Sequence, residues 1–247
     1  MLLKNVLKYD LLVSFYTNRW KWLSCFIIFG VITLLFTHTS NKLTSDVFIN
    51  YFLKGPKVPD SRIEIPYMFL LVQLYIFFII GNNVSEDYMT YSMYVFTRLK
   101  KKNHWIISKV CWLIINVTFY YVTIFCIFIM LTGFNMPGNN VDQPYIVILT
   151  IFLLMYTTSL SLGMFHITLS MLLKPIYSFI VLGIFYLIPV FTNSFYSPGA
   201  QAMLTRHKPL TNMSPASSYI YNLVLFIISL LVFFIIIKKK DVIREEE

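Results

Sequence analysis

Residues 218–237 read SYIYNLVLFIISLLVFFIII, twenty positions without a charge, closed by Lys238-Lys239-Lys240. A helix of that length rises roughly 30 Å, the thickness of a bilayer's hydrocarbon layer. It is apolar on every side, so it has no face to offer water and lipid must surround it. Five further stretches have the same character, at 22–39, 66–84, 105–131, 144–173 and 176–195. The pattern predicts an all-α membrane protein with six transmembrane helices in a single transmembrane domain spanning 1–247.

The composition agrees. Hydrophobic residues make up 57% of the chain and charged residues 13%, about half the roughly 25% charge share that keeps a soluble domain in water. The net charge of +9 forms no basic stripe on a folded polar face, which argues against nucleic acid as a partner. Its place is beside the spans. With the N-terminus inside, fourteen of the twenty Lys and Arg fall on inner segments and six on outer ones. That asymmetry orients a chain with both termini in the cytoplasm.

The first 21 residues hold Lys4, Lys8, Asp10, Arg19 and Lys21 and lack a long apolar core. A cleavable signal is therefore not expected, and the first span acts as an uncleaved anchor. Within residues 2–18, Leu2, Val6, Tyr9 and Val13 share one side of a helix, while Lys4, Asn5 and Lys8 share another. This is the pattern of a helix lying in the cytoplasmic interface. Between spans, Gly55, Pro56 and Pro59 mark an irregular outer loop over 40–65, and Met136-Pro137-Gly138-Asn139 a turn. Lys174-Pro175 makes a tight hairpin. In the last outer loop, 200–205 is expected as a short helix lying at the interface.

Residues 85–102 form the other inner element. Ser85 can cap a helix whose first turn carries Glu86 and Asp87, and Arg98, Lys100, Lys101 and Lys102 suit the far end. Between them Tyr88, Tyr91, Val95 and Leu99 repeat at helical spacing, with Met89, Met93 and Phe96 alongside. A face this apolar needs lipid or a partner protein to cover it, and a helix set in a groove is a common recognition mode.

Chemistry is sparse. Cys25, Cys111 and Cys126 lie singly in apolar spans and read as small buried hydrophobes. No acid falls within the six spans, and His166 is the one candidate there for a proton or ion pathway, where it is expected instead to hydrogen-bond within the bundle. No metal-binding pattern occurs. Gly133 to Gly138 has phosphate-loop glycine spacing, but Asn139 and Asn140 stand where Lys and Ser/Thr are required. No catalytic residue is assigned, so an enzyme is not expected. Ser159 and Gly163 make a small-xxx-small pair suited to close helix packing.

Taken together, the chain resembles the membrane subunit of a type-2 ABC exporter, the ABC-2 permease family. The likeness covers nearly its whole length. It rests on six spans, the short N-terminal helix, and the inner stretch in which Glu86/Asp87, the helix from Tyr88 to Leu99, the basic turn and Lys109 follow one another. Met213-Ser214-Pro215 before the last span and Lys238-Lys239-Lys240-Asp241 after it add to the likeness. The longer outer loop at 40–65 departs from the simplest members. The resemblance implies that two such subunits pair around a substrate path in a bacterial plasma membrane. It also implies that each docks on a separate cytoplasmic ATPase, which binds ATP and Mg²⁺, through residues 85–102. The coupling residues would be Glu86, Asp87, Tyr88, Tyr91, Met93, Val95, Arg98 and Leu99. No cofactor belongs to the chain itself. Spans without fixed charge favour a hydrophobic or amphipathic cargo, and permeases of this shape resemble those of bacterial peptide and bacteriocin export or immunity systems. A non-transporting membrane scaffold or sensor using the same helix is the alternative.

Overall fold

A computed structural model describes residues 2–39, 66–81, 83–90, 102–132, 144–192, 196–207 and 214–239. Seven α-helices carry the architecture, and no strand occurs among the described residues. They are α1 (Leu2–Thr17), α2 (Arg19–Thr39), α3 (Tyr67–Ile80), α4 (Lys102–Thr132), α5 (Pro144–Ser170), α6 (Pro175–Phe191) and α7 (Pro215–Lys239). Residues 83–90 are also helical and continue the direction of the chain beyond α3. Four helices are long and apolar enough to cross a membrane: Tyr67–Thr90, Lys102–Ile127, Leu149–Ser170 and Pro215–Lys239. A fifth results if Val6–Thr17 and Arg19–Leu35, bent by 61° at Asn18, count as one broken span. By helix length and hydropathy this is a multi-pass membrane protein. The expected span at 176–195 corresponds to α6, which is apolar but 17 residues long.

The centre of the bundle is α4 and α5, with α3 and α6 closing one side and α7 lying along α5 as the most extensive helix pair. Polar side chains tie these helices together where lipid offers no partner. Asn222 of α7 donates to Thr158 Oγ1 of α5 at 2.9 Å, and Thr168 of α5 donates to the Ser229 carbonyl of α7 at 3.1 Å. The largest such knot is Gln73 of α3. Its Oε1 accepts from Ser159 of α5 at 2.9 Å, from Tyr186 of α6 at 2.9 Å and from Tyr121 of α4 at 3.3 Å. Outward, α7 presents Ile220, Leu223, Ile227, Ile228 and Leu231, which suits contact with lipid tails.

Gly163 packs against this centre as the small-residue pair implies. A Cβ there would stand 3.0 Å from Leu113 and 3.7 Å from Ile80, and Ser159 reaches both Gln73 and Tyr121. His166 is hydrogen-bonded within the bundle through Nδ1 to Ser178 at 2.5 Å. The hairpin is where it was expected, with Lys174 as N-cap and Pro175 opening α6.

Two expectations change. Residues 200–205 do not form a helix lying at the interface. They belong to two 3-10 turns, Pro198–Ala202 and Leu204–Arg206, in which Ala200, Ala202 and Met203 are fully buried against α5 and α6. Pro189 explains the fit. It has no N–H for the Phe185 carbonyl one turn back, and the Ser197 hydroxyl supplies that proton at 3.0 Å. Arg206 donates to the Pro189 carbonyl near the C-terminal end of α6, where a cation meets the negative end of the helix dipole. Nor does Ser85 cap a helix. Residues 83 and 84 are already helical, and Ser85 is buried inside the segment.

Candidate functional site

The N-terminal helix is the first surprise. Its inward stripe is not the apolar one. Asp10, Ser14 and Asn18 are buried, flanked by half-buried Leu7, Leu11 and Phe15. Leu12 and Tyr16 turn outward, 62% and 72% exposed. Val6 packs against the core, while Tyr9 and Val13, on the same side of the helix, stay substantially exposed. An aromatic trio pins the bend to α2 and α4: Trp22 lies 5.7 Å from Phe15 and 5.0 Å from Phe119.

The reason for the polar stripe lies in α4. Lys109, the lysine near the start of that helix, is almost fully buried. Its ammonium sits 2.9 Å from Asp10 Oδ1 and 2.6 Å from Asp87 Oδ2. Ser108 donates to the second oxygen of Asp10 at 2.5 Å, and the Trp105 indole N–H donates to Asp87 Oδ2 at 3.2 Å. One cation thus holds three separate pieces of chain together: α1, residues 83–90, and α4 itself. A buried charge is tolerated only when paired and hydrogen-bonded, and every charge here is. The two acids differ in setting. Asp10 has a side-chain exposure of 5% and Asp87 of 15%.

A cleft of about 230 Å³ opens beside this cluster, walled by Tyr9, Ser14, Asn83, Glu86, Thr90 and Trp112. Glu86 and Met89 are exposed on the outer side of the segment. Tyr88 is not on that side. It is buried, with its ring 5.7 Å from that of Trp105, so it belongs to the chain's own core and orients the segment. Of the eight residues singled out from the sequence, the structure brings Asp87 and Tyr88 into the cluster and leaves Glu86 at its rim. Tyr91, Met93, Val95, Arg98 and Leu99 lie outside the described residues. Asp10, Ser108 and Trp105 were not anticipated. The available signal for Asp10 was that it is an acid among Lys4, Lys8, Arg19 and Lys21.

The joint between α3 and residues 83–90 is Gly81, at φ +48°. Its N–H still closes the last turn of α3 on the Phe77 carbonyl at 2.8 Å. Lys21 of α2 fills the space beside it. A Cβ at Gly81 would meet the Lys21 ammonium at 3.0 Å and the Phe78 carbonyl at 3.3 Å. The same ammonium lies 5.1 Å above the Phe78 ring.

The cluster and the buried 3-10 turns are at opposite ends of the bundle, as α7 shows. Near its start, Ser218 bonds His207 Nε2 at 2.8 Å, and near its end the Ile237 carbonyl accepts from Lys102 at 3.2 Å. Nineteen helical residues separate those points, a rise of roughly 28 Å.

A family model described as a protein of unknown function (DUF2705) matches residues 25–243. That stretch includes Asp87 and Lys109 and begins after Asp10. No curated protein and no solved structure matches the chain.

Proposed function

The chain belongs to the DUF2705 family, and from that premise we propose that it is the permease subunit of an ATP-driven ABC exporter of the ABC-2 type. In this reading six spans cross a bacterial plasma membrane with both termini in the cytoplasm. The 61° bend at Asn18 lets α1 lie in the inner interface, with Leu12 and Tyr16 toward lipid. The helix over 85–102 docks on a separate ATPase chain, and two permease subunits enclose the path. The cargo is hydrophobic or amphipathic, with a peptide as the leading candidate.

The observation that carries the reading is the Asp10–Lys109–Asp87 cluster. A docking helix transmits force only if it is mechanically joined to the membrane helices. Here the first turns of the docking element share a buried cation with both α1 and α4. A push on 85–102 therefore reaches two membrane elements at once. A ligand shifts a conformational equilibrium only through contacts that differ between the states. A polar joint at the inner end is a place where such contacts can change.

The test is co-purification of the full chain from its native membrane, followed by assay of nucleotide hydrolysis. We expect an ABC ATPase to accompany the wild-type chain. The double variant Tyr91→Asp/Val95→Asp should lose it while inserting normally. If no nucleotide hydrolase accompanies the wild-type chain, or the double variant retains it fully, the reading fails. Recovery of a partner that hydrolyses no nucleotide would favour a membrane scaffold instead.

A further inference from the structure

We propose that residues 83–90 are a lever jointed at Gly81 and held shut by a releasable latch, in which Asp87 lets go of Lys109 while Asp10 stays. The inference deepens the docking reading above and rests on it for its purpose, though not for its geometry.

The argument begins with the charges. One lysine between two carboxylates is more than neutrality needs. A lone buried ion pair would be costly to open, because separating it leaves a bare charge inside the protein. The second acid removes that cost. When Asp87 departs, Lys109 keeps Asp10 at 2.9 Å, and Asp10 keeps the Ser108 hydroxyl at 2.5 Å. The pair left behind is neutral and hydrogen-bonded. Asp87 is the acid placed to leave. It is the more exposed of the two, 15% against 5%, although both acids border the cleft. Asp10 is the more buried, on a helix pinned by Phe15 and Trp22.

The joint is of the right kind. The φ of +48° at Gly81 is a conformation L side chains seldom adopt. Helical backbone stands on both sides of it, over Tyr67–Ile80 and residues 83–90. On the inner side the segment is held by Val84, Ser85 and Tyr88, all buried, and by the Trp105 N–H on Asp87. On its other side Glu86 and Met89 are exposed among the described residues. A pull from that side works against this buried face and against the contacts of Asp87 with Lys109 and Trp105.

Hydrogen exchange on the full chain in lipid nanodiscs tests this with two variants of opposite expected sign. Asp87→Asn weakens the latch, so amides of 83–90 should exchange faster by about tenfold, with those of 175–191 unchanged. Asp10→Asn leaves Asp87 as the only counter-ion, so release would bare a buried cation. Exchange over 83–90 should then slow by a comparable factor of about ten. Exchange that moves in the same direction in both variants, or in neither, overturns the latch. Unfolding of either variant would appear as faster exchange at 175–191, and Asp10→Ser and Asp87→Ser, which each remove the same charge with a smaller side chain, are then compared for the same opposed signs. Loss of ATPase binding in Tyr91→Asp/Val95→Asp is a separate readout, so failure of the latch and failure of the docking reading are told apart.

Discussion

The Ser197 hydroxyl donates to the Phe185 carbonyl at 3.0 Å, in place of the backbone N–H that Pro189 lacks. The contact brings the chain after α6 back into the bundle, so that Gly199 lies flat against the backbone of Phe185 and Tyr186. In lipid, a carbonyl without a donor is expensive, and this end of the molecule is built around avoiding one.

Gly199→Ala should therefore loosen the buried turns. A Cβ there would overlap the Phe185 carbonyl oxygen and stand 2.7 Å from Tyr186 Cα, both backbone atoms with little freedom to give way. Overpacking of this kind costs roughly 1–3 kcal/mol. Thermal unfolding in detergent should show a lower midpoint for Gly199→Ala, whereas Gly183→Ala, where nothing lies within 4 Å, should match the wild type.

Lys109→Met should be among the most damaging single changes. It leaves Asp10 and Asp87 together without their cation, and orphaning buried charge costs about 3–5 kcal/mol. The triple variant Asp10→Asn/Asp87→Asn/Lys109→Met removes all three charges and should recover much of the lost stability. Equal loss in the single and triple variants would mean that packing by the lysine stem, not its charge, is what matters.

Gln73→Leu should test the knot at the centre. It withdraws an acceptor from Ser159, Tyr121 and Tyr186, but Ser159 and Tyr121 still have each other at 2.6 Å. Only Tyr186 loses its sole described partner. Hydrogen bonds between membrane helices average about 0.6 kcal/mol, so the expected loss is roughly 1–2 kcal/mol. Adding Tyr186→Phe should then cost almost nothing further, which a double-mutant cycle on unfolding midpoints would read directly.

His207 gives a pH dependence. Burial lowers its pKa from 6.5, against hydrogen bonding to the backbone at Met203 and Leu204 that raises it. Facing the ring are the Met203 carbonyl at 2.9 Å and the Ser218 hydroxyl, which also reaches Gln201. Buried Arg206 is its neighbour in the chain. The fold thus prefers the neutral ring. Its contribution to stability is complete above pH 6.5 and is lost as pH falls from 6.5 toward the lowered folded value. Unfolding midpoints measured between pH 7.5 and 5.5 should fall less steeply in His207→Gln than in the wild type.

Much of this was legible in the sequence, for a physical reason. Apolar runs announce themselves residue by residue, so the helices lie where the pattern put them, Pro175 and Lys174 included. The acidic start at Glu86/Asp87 and the lysine at position 109 were also visible as an ordered series. Their relation was not. Asp10 stands as one acid on a basic segment until Lys109, ninety-nine residues later, is seen to hold it as a second carboxylate beside Asp87. The apolar side through Tyr9 and Val13 stays exposed, and the polar stripe of Asp10 and Ser14 that packs inward was not anticipated. Tyr88 is covered as an apolar residue there should be, but by Trp105 of the same chain. Burial of 198–206 depended on a carbonyl freed by Pro189, which no local periodicity encodes.

The position of Asp10 bears on how this protein can be handled. Its first helix resembles a dispensable leader, and trimming it for expression would be a natural choice. Doing so would withdraw one of the two carboxylates that meet the Lys109 ammonium and leave the Ser108 hydroxyl without its acceptor. The amino-terminal turns are better understood as an internal counterweight that happens to be encoded at the beginning of the chain.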